Sequence, residues 1–90
     1  MTNKRKHQLE RVIRYEYKCF DTLCYPKDNS KKLLRHMSKL LEFKVWYLYD
    51  IGSISFDEKH FMLLCNNLYY IYYVNYIDNI LNSAHFRKFS

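Results

Sequence analysis

The sequence predicts a small all-α protein, a helical bundle in which residues 1–90 form a single domain of three helices. Ninety residues supply one hydrophobic core and not two. The chain has one glycine, Gly52, and one proline, Pro26, which is too few for a β sandwich or barrel with a turn about every 8–12 residues. Apolar residues recur at helical spacing between breaks near 23–29 and 50–55. We therefore expect helices over about 5–24, 31–50 and 56–82.

The first segment has an apolar face and a basic face. Six apolar residues at three- and four-residue spacing share one side, with Glu16 as the only charge among them: Leu9, Val12, Ile13, Tyr17, Phe20 and Cys24. The opposite side carries Lys4, His7, Arg11, Arg14 and Lys18. Pro26 disfavours helix at Tyr25, and Asp28, Asn29 or Ser30 can cap the helix that follows.

The second segment repeats this division. Its expected buried stripe consists of Leu33, Met37, Leu40, Leu41 and Leu48, with Leu34 and Val45 along one edge. Its outer side carries Lys31, Lys32, Arg35 and Lys39, together with Trp46 and Tyr49. Lys44 falls within the apolar arc, so its stem must lie along the core while its ammonium group reaches water. Gly52 suits the position just after the helix end.

The third segment opens with a capping box, Ser55 followed by Glu58. Residues 68–74 are rich in strand-forming side chains. However, about 27 residues without a turn exceed the usual length of a strand, so we expect helix. No residue from His60 to Ile77 carries a formal charge, and the polar positions gather on one side: His60, Asn67, Asn75, Asp78 and Asn82.

Positive charge is concentrated in the first half of the chain. Residues 1–44 carry a net charge of +7 and residues 45–90 a net charge of −1. If the first two helices are neighbours, their basic faces form one surface that attracts phosphate or an acidic protein. The alternative is an ordinary solvated face. The candidate partner-binding residues are Lys4, Arg11, Arg14, Lys18, Lys31, Lys32, Arg35, Lys39, Trp46 and Tyr49.

The tyrosine-rich third segment needs more cover than two amphipathic helices readily give. Either it lies at the centre of the domain, or it contacts a partner or a second copy in a homodimer. Its 18 uncharged residues reach the lower limit for a membrane span. Asn66, Asn67 and Asn75 oppose insertion, so we expect no span.

The sequence offers little material for chemistry. Cys19, Cys24 and Cys65 do not form the recurring, closely spaced ligand pairs that are typical of structural zinc sites. The chain also lacks a nucleophile elbow, a phosphate loop and an HExxH motif. We therefore expect no enzyme activity, catalytic residue, metal or cofactor. Three cysteines, with no secretory signal before them, indicate reduced thiols in the cytoplasm.

These patterns predict a non-enzymatic interaction protein. A composition rich in Lys, Asn, Tyr, Ile and Phe is typical of AT-rich genes, including those of viral, phage and mobile-element accessory proteins. Such a protein would bind a host protein or nucleoprotein machine and inhibit or modulate it, for example as an anti-defence inhibitor. The alternative is a basic regulator that binds DNA or RNA, although the chain shows no RNA- or DNA-recognition motif.

Overall fold

The computed structural model describes residues 1–18 and 29–89, with side chains as far as Asn82. Three helices account for nearly all of them: α1 (Asn3–Tyr17), α2 (Ser30–Asp50) and α3 (Phe56–Phe89). No strand occurs in the described part of the chain, and residues 68–74 are helical. The prediction of a small all-α, three-helix protein is therefore confirmed. The predicted turn at 25–28 lies outside the described residues, as do Phe20 and Cys24.

Helix α3 lies at the centre, and α1 packs along it in the same direction. Arg5 of α1 forms an ion pair with Glu58, at the start of α3. Further along, the Tyr17 ring stacks on Tyr69 and Tyr73, with centroid distances of 5.7 and 5.6 Å. The early residues of α1 thus meet the early residues of α3, and the later residues of α1 meet its middle.

Helix α2 runs against α3 in the opposite direction. Lys31, at the start of α2, forms an ion pair with Asp78, while the Tyr49 ring near its end lies 6.2 Å from that of Phe56. Between α1 and α2, Lys44 lies 3.6 Å from Glu16, so the one charge in each apolar arc is paired with the other. The buried core draws on all three helices: Leu9, Ile13, Tyr17, Leu34, Leu41, Val45, Ile54, Met62, Cys65, Tyr73 and Ile77.

The predicted orientation of α2 is wrong by a fraction of a turn. Leu34, Leu41 and Val45 are buried, whereas Leu33 and Leu40 are 57% and 55% exposed. The residues expected at the edge therefore form the centre of the buried stripe. At 100° per residue these five leucines span about 120° of the helix, and Phe43, Tyr47 and Val45 widen the apolar arc to about 200°. The apolar pattern alone therefore admits more than one orientation. Val12 of α1, also expected in the core, is exposed as well.

Local signals set the end of α2 and the start of α3 where the sequence places them, whereas α1 is Asn3–Tyr17 and not 5–24. Gly52 has a positive φ of 79°, and its N–H donates to the Tyr49 carbonyl while the Ser53 N–H donates to that of Leu48. This is the Schellman motif, in which glycine adopts the left-handed conformation without steric cost. Beyond it, the Glu58 N–H donates to the Ser55 hydroxyl at 3.2 Å and the Ser55 N–H donates to the Glu58 carboxylate at 2.8 Å.

Helix α3 is longer than predicted and continues to Phe89. Its 34 residues span about 51 Å at 1.5 Å per residue, which accounts for most of the 54 Å long dimension of the molecule. Asn82 does not end the helix because no glycine or proline follows it.

One polar junction joins the three helices inside the core. The Tyr17 hydroxyl donates to Asn66 Oδ1 at 2.5 Å, and Asn66 Nδ2 donates to the Ser38 carbonyl at 3.0 Å. Tyr17 and Asn66 are both fully buried, and burial raises the pKa of the Tyr17 hydroxyl above its usual value. A single amide side chain on α3 thus bonds to α1 and α2 at once, satisfying groups that are costly to bury unpaired.

Candidate interaction surface

The basic residues predicted on the first helix form one continuous face, which we call the α1 basic face. It consists of Lys4, His7, Arg11, Arg14 and Lys18, and all five side chains are exposed. Alternating steps of three and four residues place them on one side of a helix. Fourteen residues separate the first from the last, a distance of about 21 Å. The Glu10 carboxylate lies 4.0 Å from Arg14.

An exposed tyrosine accompanies these cations. Tyr15 is 74% exposed, and together with Arg11, Arg14 and Lys18 it lines an open hollow of about 440 Å³. An aromatic ring beside guanidinium groups is a common anchor in protein interfaces. The sequence signal for Tyr15 is its position outside the apolar arc of α1, next to Arg14.

The basic residues of α2 are arranged differently. Lys31 is paired with Asp78 of α3, and Lys39 lies 3.7 Å from Glu42. Lys32 and Arg35 are exposed. Two of these four cations therefore already neutralise carboxylates of the same chain, as does Lys44, the fifth cation of α2.

Trp46 and Tyr49 surround a lysine of α3. The ammonium group of Lys59 lies 4.0 Å from the Trp46 ring centroid, 4.5 Å from that of Tyr49 and 4.3 Å from that of Phe56. Lys59 is only 4% exposed, so the three rings act as a cage for its charge. Trp46 remains partly exposed, but one face of its ring is covered by Lys59.

The two basic faces do not merge into one surface. Lys31, Trp46 and Tyr49 are directed toward α3, whereas Lys44 of α2 reaches Glu16 of α1. The flank of α2 that carries its cations is therefore turned away from the α1 basic face. Of the ten residues predicted to bind a partner, the structure brings together Lys4, Arg11, Arg14 and Lys18 on α1, and separates the α2 residues from them.

The one cysteine within the described residues is enclosed. Cys65 is buried, and burial raises the pKa of its thiol above the usual value, with the nearby Glu10 carboxylate acting in the same direction. Among residues 1–18 and 29–89, no three His, Cys, Asp or Glu side chains come close enough to hold a metal ion. Within the same residues, none of the helices has the length and apolar character needed to cross a membrane.

Comparison with known proteins gives no further guide to the site, since no family model, curated protein or solved structure matches this chain.

Proposed function

We propose that this chain is a non-enzymatic binding protein that attaches to an acidic surface of another protein or nucleoprotein complex through the α1 basic face. In this role it would inhibit or modulate its target, as an accessory protein does. The observation that carries the proposal is the row of exposed cations on one side of α1, with the exposed Tyr15 ring beside it. Aligned cations steer a partner of opposite charge, and a rigid aromatic ring supplies contact area at low entropic cost.

The separation of the two basic faces sharpens the test. Arg11→Glu with Arg14→Glu reverses two charges on the α1 basic face. Lys32→Glu with Arg35→Glu reverses two charges on the exposed side of α2 and serves as a matched control. Both pairs change the net charge by the same amount, and all four side chains are exposed, so we expect both variants to remain folded.

The experiment is quantitative affinity capture from the native host at physiological salt, with the wild-type chain and both variants as bait. We expect one specific protein or complex to be retained by the wild type and by the α2 variant, and to be lost with the α1 variant. Equal retention by all three baits would show that the α1 basic face is only a solvated surface. The absence of any specific protein would contradict the proposal as a whole.

Nucleic acid is the second candidate partner, and the same row of cations favours it. The four Lys and Arg side chains of the α1 basic face can each neutralise one phosphate. The logarithm of the binding constant should then fall against the logarithm of salt concentration with a slope of about −3 to −4. Arg11→Gln with Arg14→Gln should reduce that slope by about 2. Fluorescence anisotropy with duplex DNA and single-stranded RNA measures it, and a flat salt response would eliminate this candidate.

A second contact is available on α3, where the tyrosine-rich helix suggests a homodimer in addition to the heterologous partner. Several apolar side chains of α3 are exposed even though α1 and α2 both pack against it. Self-association through α3 and partner binding through α1 use different helices and are compatible with each other.

A further inference from the structure

On the outer side of α3, among the exposed polar residues His60, Asn67 and Asn75, lies an apolar seam that neither α1 nor α2 covers. Its large members are Leu64, Leu68, Ile71 and Tyr72, which are between 55% and 61% exposed. The first three lie at steps of four and three residues, and the next step of four leads to Asn75. This is the alternation by which two helices mesh along a shared seam.

The charge pattern indicates what covers the seam. No formal charge occurs between Lys59 and Asp78, although the chain as a whole carries a net charge of +6. A partner with an acidic surface would be attracted to the α1 basic face and not to this uncharged strip. The surface that matches the seam in polarity, length and spacing is a second copy of the seam itself, as in an isologous two-fold dimer.

We propose that the chain forms a homodimer in which the exposed seams of two α3 helices pack against each other in antiparallel order. Leu68 of one copy then lies opposite Ile71 of the other, and the two-fold symmetry produces the same pair a second time with the copies exchanged. The order follows from the helix dipole, which places partial positive charge at the start of α3, near Phe56, and partial negative charge at its end, near Phe89. Antiparallel packing directs unlike ends and unlike helix dipoles toward each other, whereas parallel packing superposes like charges at each end.

The size of the seam sets the expected strength. Its large apolar members extend from Leu64 to Tyr72, about 12 Å along the helix, and the seam is about as wide as one helix. A standard interface takes about 800 Å² from each partner, whereas the whole chain exposes 6979 Å². A contact made mainly by one helix from each copy falls at the small end of specific interfaces. We therefore expect a reversible dimer whose population rises with concentration across the micromolar range.

The first test is sedimentation velocity on the full chain over a concentration series. We expect the mass to rise from one copy toward two, and Leu68→Glu to hold the protein at the mass of one copy because it places a carboxylate in the seam. Phe43→Glu is the matched control: it introduces the same charge at an exposed apolar residue of α2 and should leave dimerisation unchanged. Ile71→Glu provides a second seam variant, and circular dichroism checks that every variant is helical.

The outcomes separate cleanly. A monomer at every concentration up to about 1 mM would overturn the proposal, since weaker association has little specificity. A dimer that survives both seam variants, or that Phe43→Glu disrupts equally, would place the contact elsewhere. None of these results bears on the α1 basic face, whose charge-reversal variants should dimerise as the wild type does.

The second test addresses the order of the two helices. In a background with Cys19 and Cys24 replaced by serine, Leu68→Cys and Ile71→Cys are prepared separately, mixed and oxidised. Antiparallel packing predicts a disulfide between the two variants, because residues 68 and 71 face each other across the interface. Efficient cross-linking of Leu68→Cys to itself would instead show parallel packing and overturn the proposed order.

Discussion

The polar junction between Tyr17 and Asn66 allows a sharp test of how the core is held. Tyr17→Phe removes one hydroxyl group and keeps the ring that stacks on Tyr69 and Tyr73. The Asn66 side-chain oxygen, which accepts from that hydroxyl at 2.5 Å, is then left buried without it. An unsatisfied buried acceptor costs about 1–3 kcal/mol. In a domain of this size, each kcal/mol lowers the melting temperature by about 4–8 °C.

The assay is thermal and urea unfolding followed by circular dichroism, with Tyr15→Phe as the control. Tyr15 is exposed, so the same loss of a hydroxyl there should change the free energy of unfolding by less than about 0.5 kcal/mol. Asn66→Leu and the double variant complete a cycle that isolates the coupling between the two side chains. If Tyr17→Phe is as stable as Tyr15→Phe, the hydroxyl contributes nothing and the reasoning about the junction is refuted.

Three further predictions test the core, the aromatic cage and the response to pH. Leu41→Asp places a carboxylate at a buried site and should lower the free energy of unfolding by at least about 3 kcal/mol. Leu40→Asp, at an exposed site, should lower it by less than about 1 kcal/mol. Equal effects of the two variants in urea unfolding would contradict the orientation of α2. Lys59→Met keeps the side-chain stem but removes the charge among the three rings, so we expect the free energy of unfolding to fall by about 1–2 kcal/mol in the same assay. An unchanged urea midpoint would show that the rings contact Lys59 by apolar packing alone, without stabilising its charge. Burial, together with the hydrogen bond to Glu10, raises the pKa of Tyr69 to about 12 from an unfolded value of about 10. The folded state therefore holds this proton more tightly, and stability that is fully present below pH 10 should decline as the pH rises toward 12. Tyr69→Phe should flatten this decline in urea midpoints measured across that range, and an identical decline in the variant would assign it to other groups.

Local signals in the sequence predict the helix ends well. The capping box at Ser55 and the stop at Gly52 each depend on residues within one turn of the chain, so no knowledge of the tertiary structure is needed. The division of α1 into an apolar and a basic side is equally local. Leu9, Ile13 and Tyr17 are buried as expected, and Arg11 and Lys18 are exposed.

Contacts between helices limit what the sequence can predict. The orientation of α2 depends on which side meets α3, and its apolar residues, with Phe43, Val45 and Tyr47 added to the leucines, occupy too wide an arc to decide this from the pattern. Lys59 is a stronger case, because a buried lysine is rare and its cage combines residues from two helices. A signal was nevertheless present: Trp46, Tyr49 and Phe56 gather around the break between α2 and α3.

Asn66 shows the same limitation within α3. From the sequence, its position among apolar residues indicates only that it opposes membrane insertion. In the structure, it is the amide that bonds to α1 and α2. Helical periodicity places Asn67 on the polar side, where it is exposed, and Asn66 on the opposite, buried side. What the pattern does not predict is that the buried amide of Asn66 bonds to groups of two other helices.

The position of Asn66 also governs how the helices can slide. Its amide oxygen meets α1 and its amide nitrogen meets α2, so both neighbours are aligned against the same point on α3. Moving either helix by one turn, about 5.4 Å, would leave a buried donor or acceptor without a partner, although leucine and tyrosine contacts would be available in the shifted position. Apolar packing alone tolerates such alternatives, whereas this amide penalises them. The hydrogen bonds of one residue thus fix the register of the bundle and select a single alignment of the three helices.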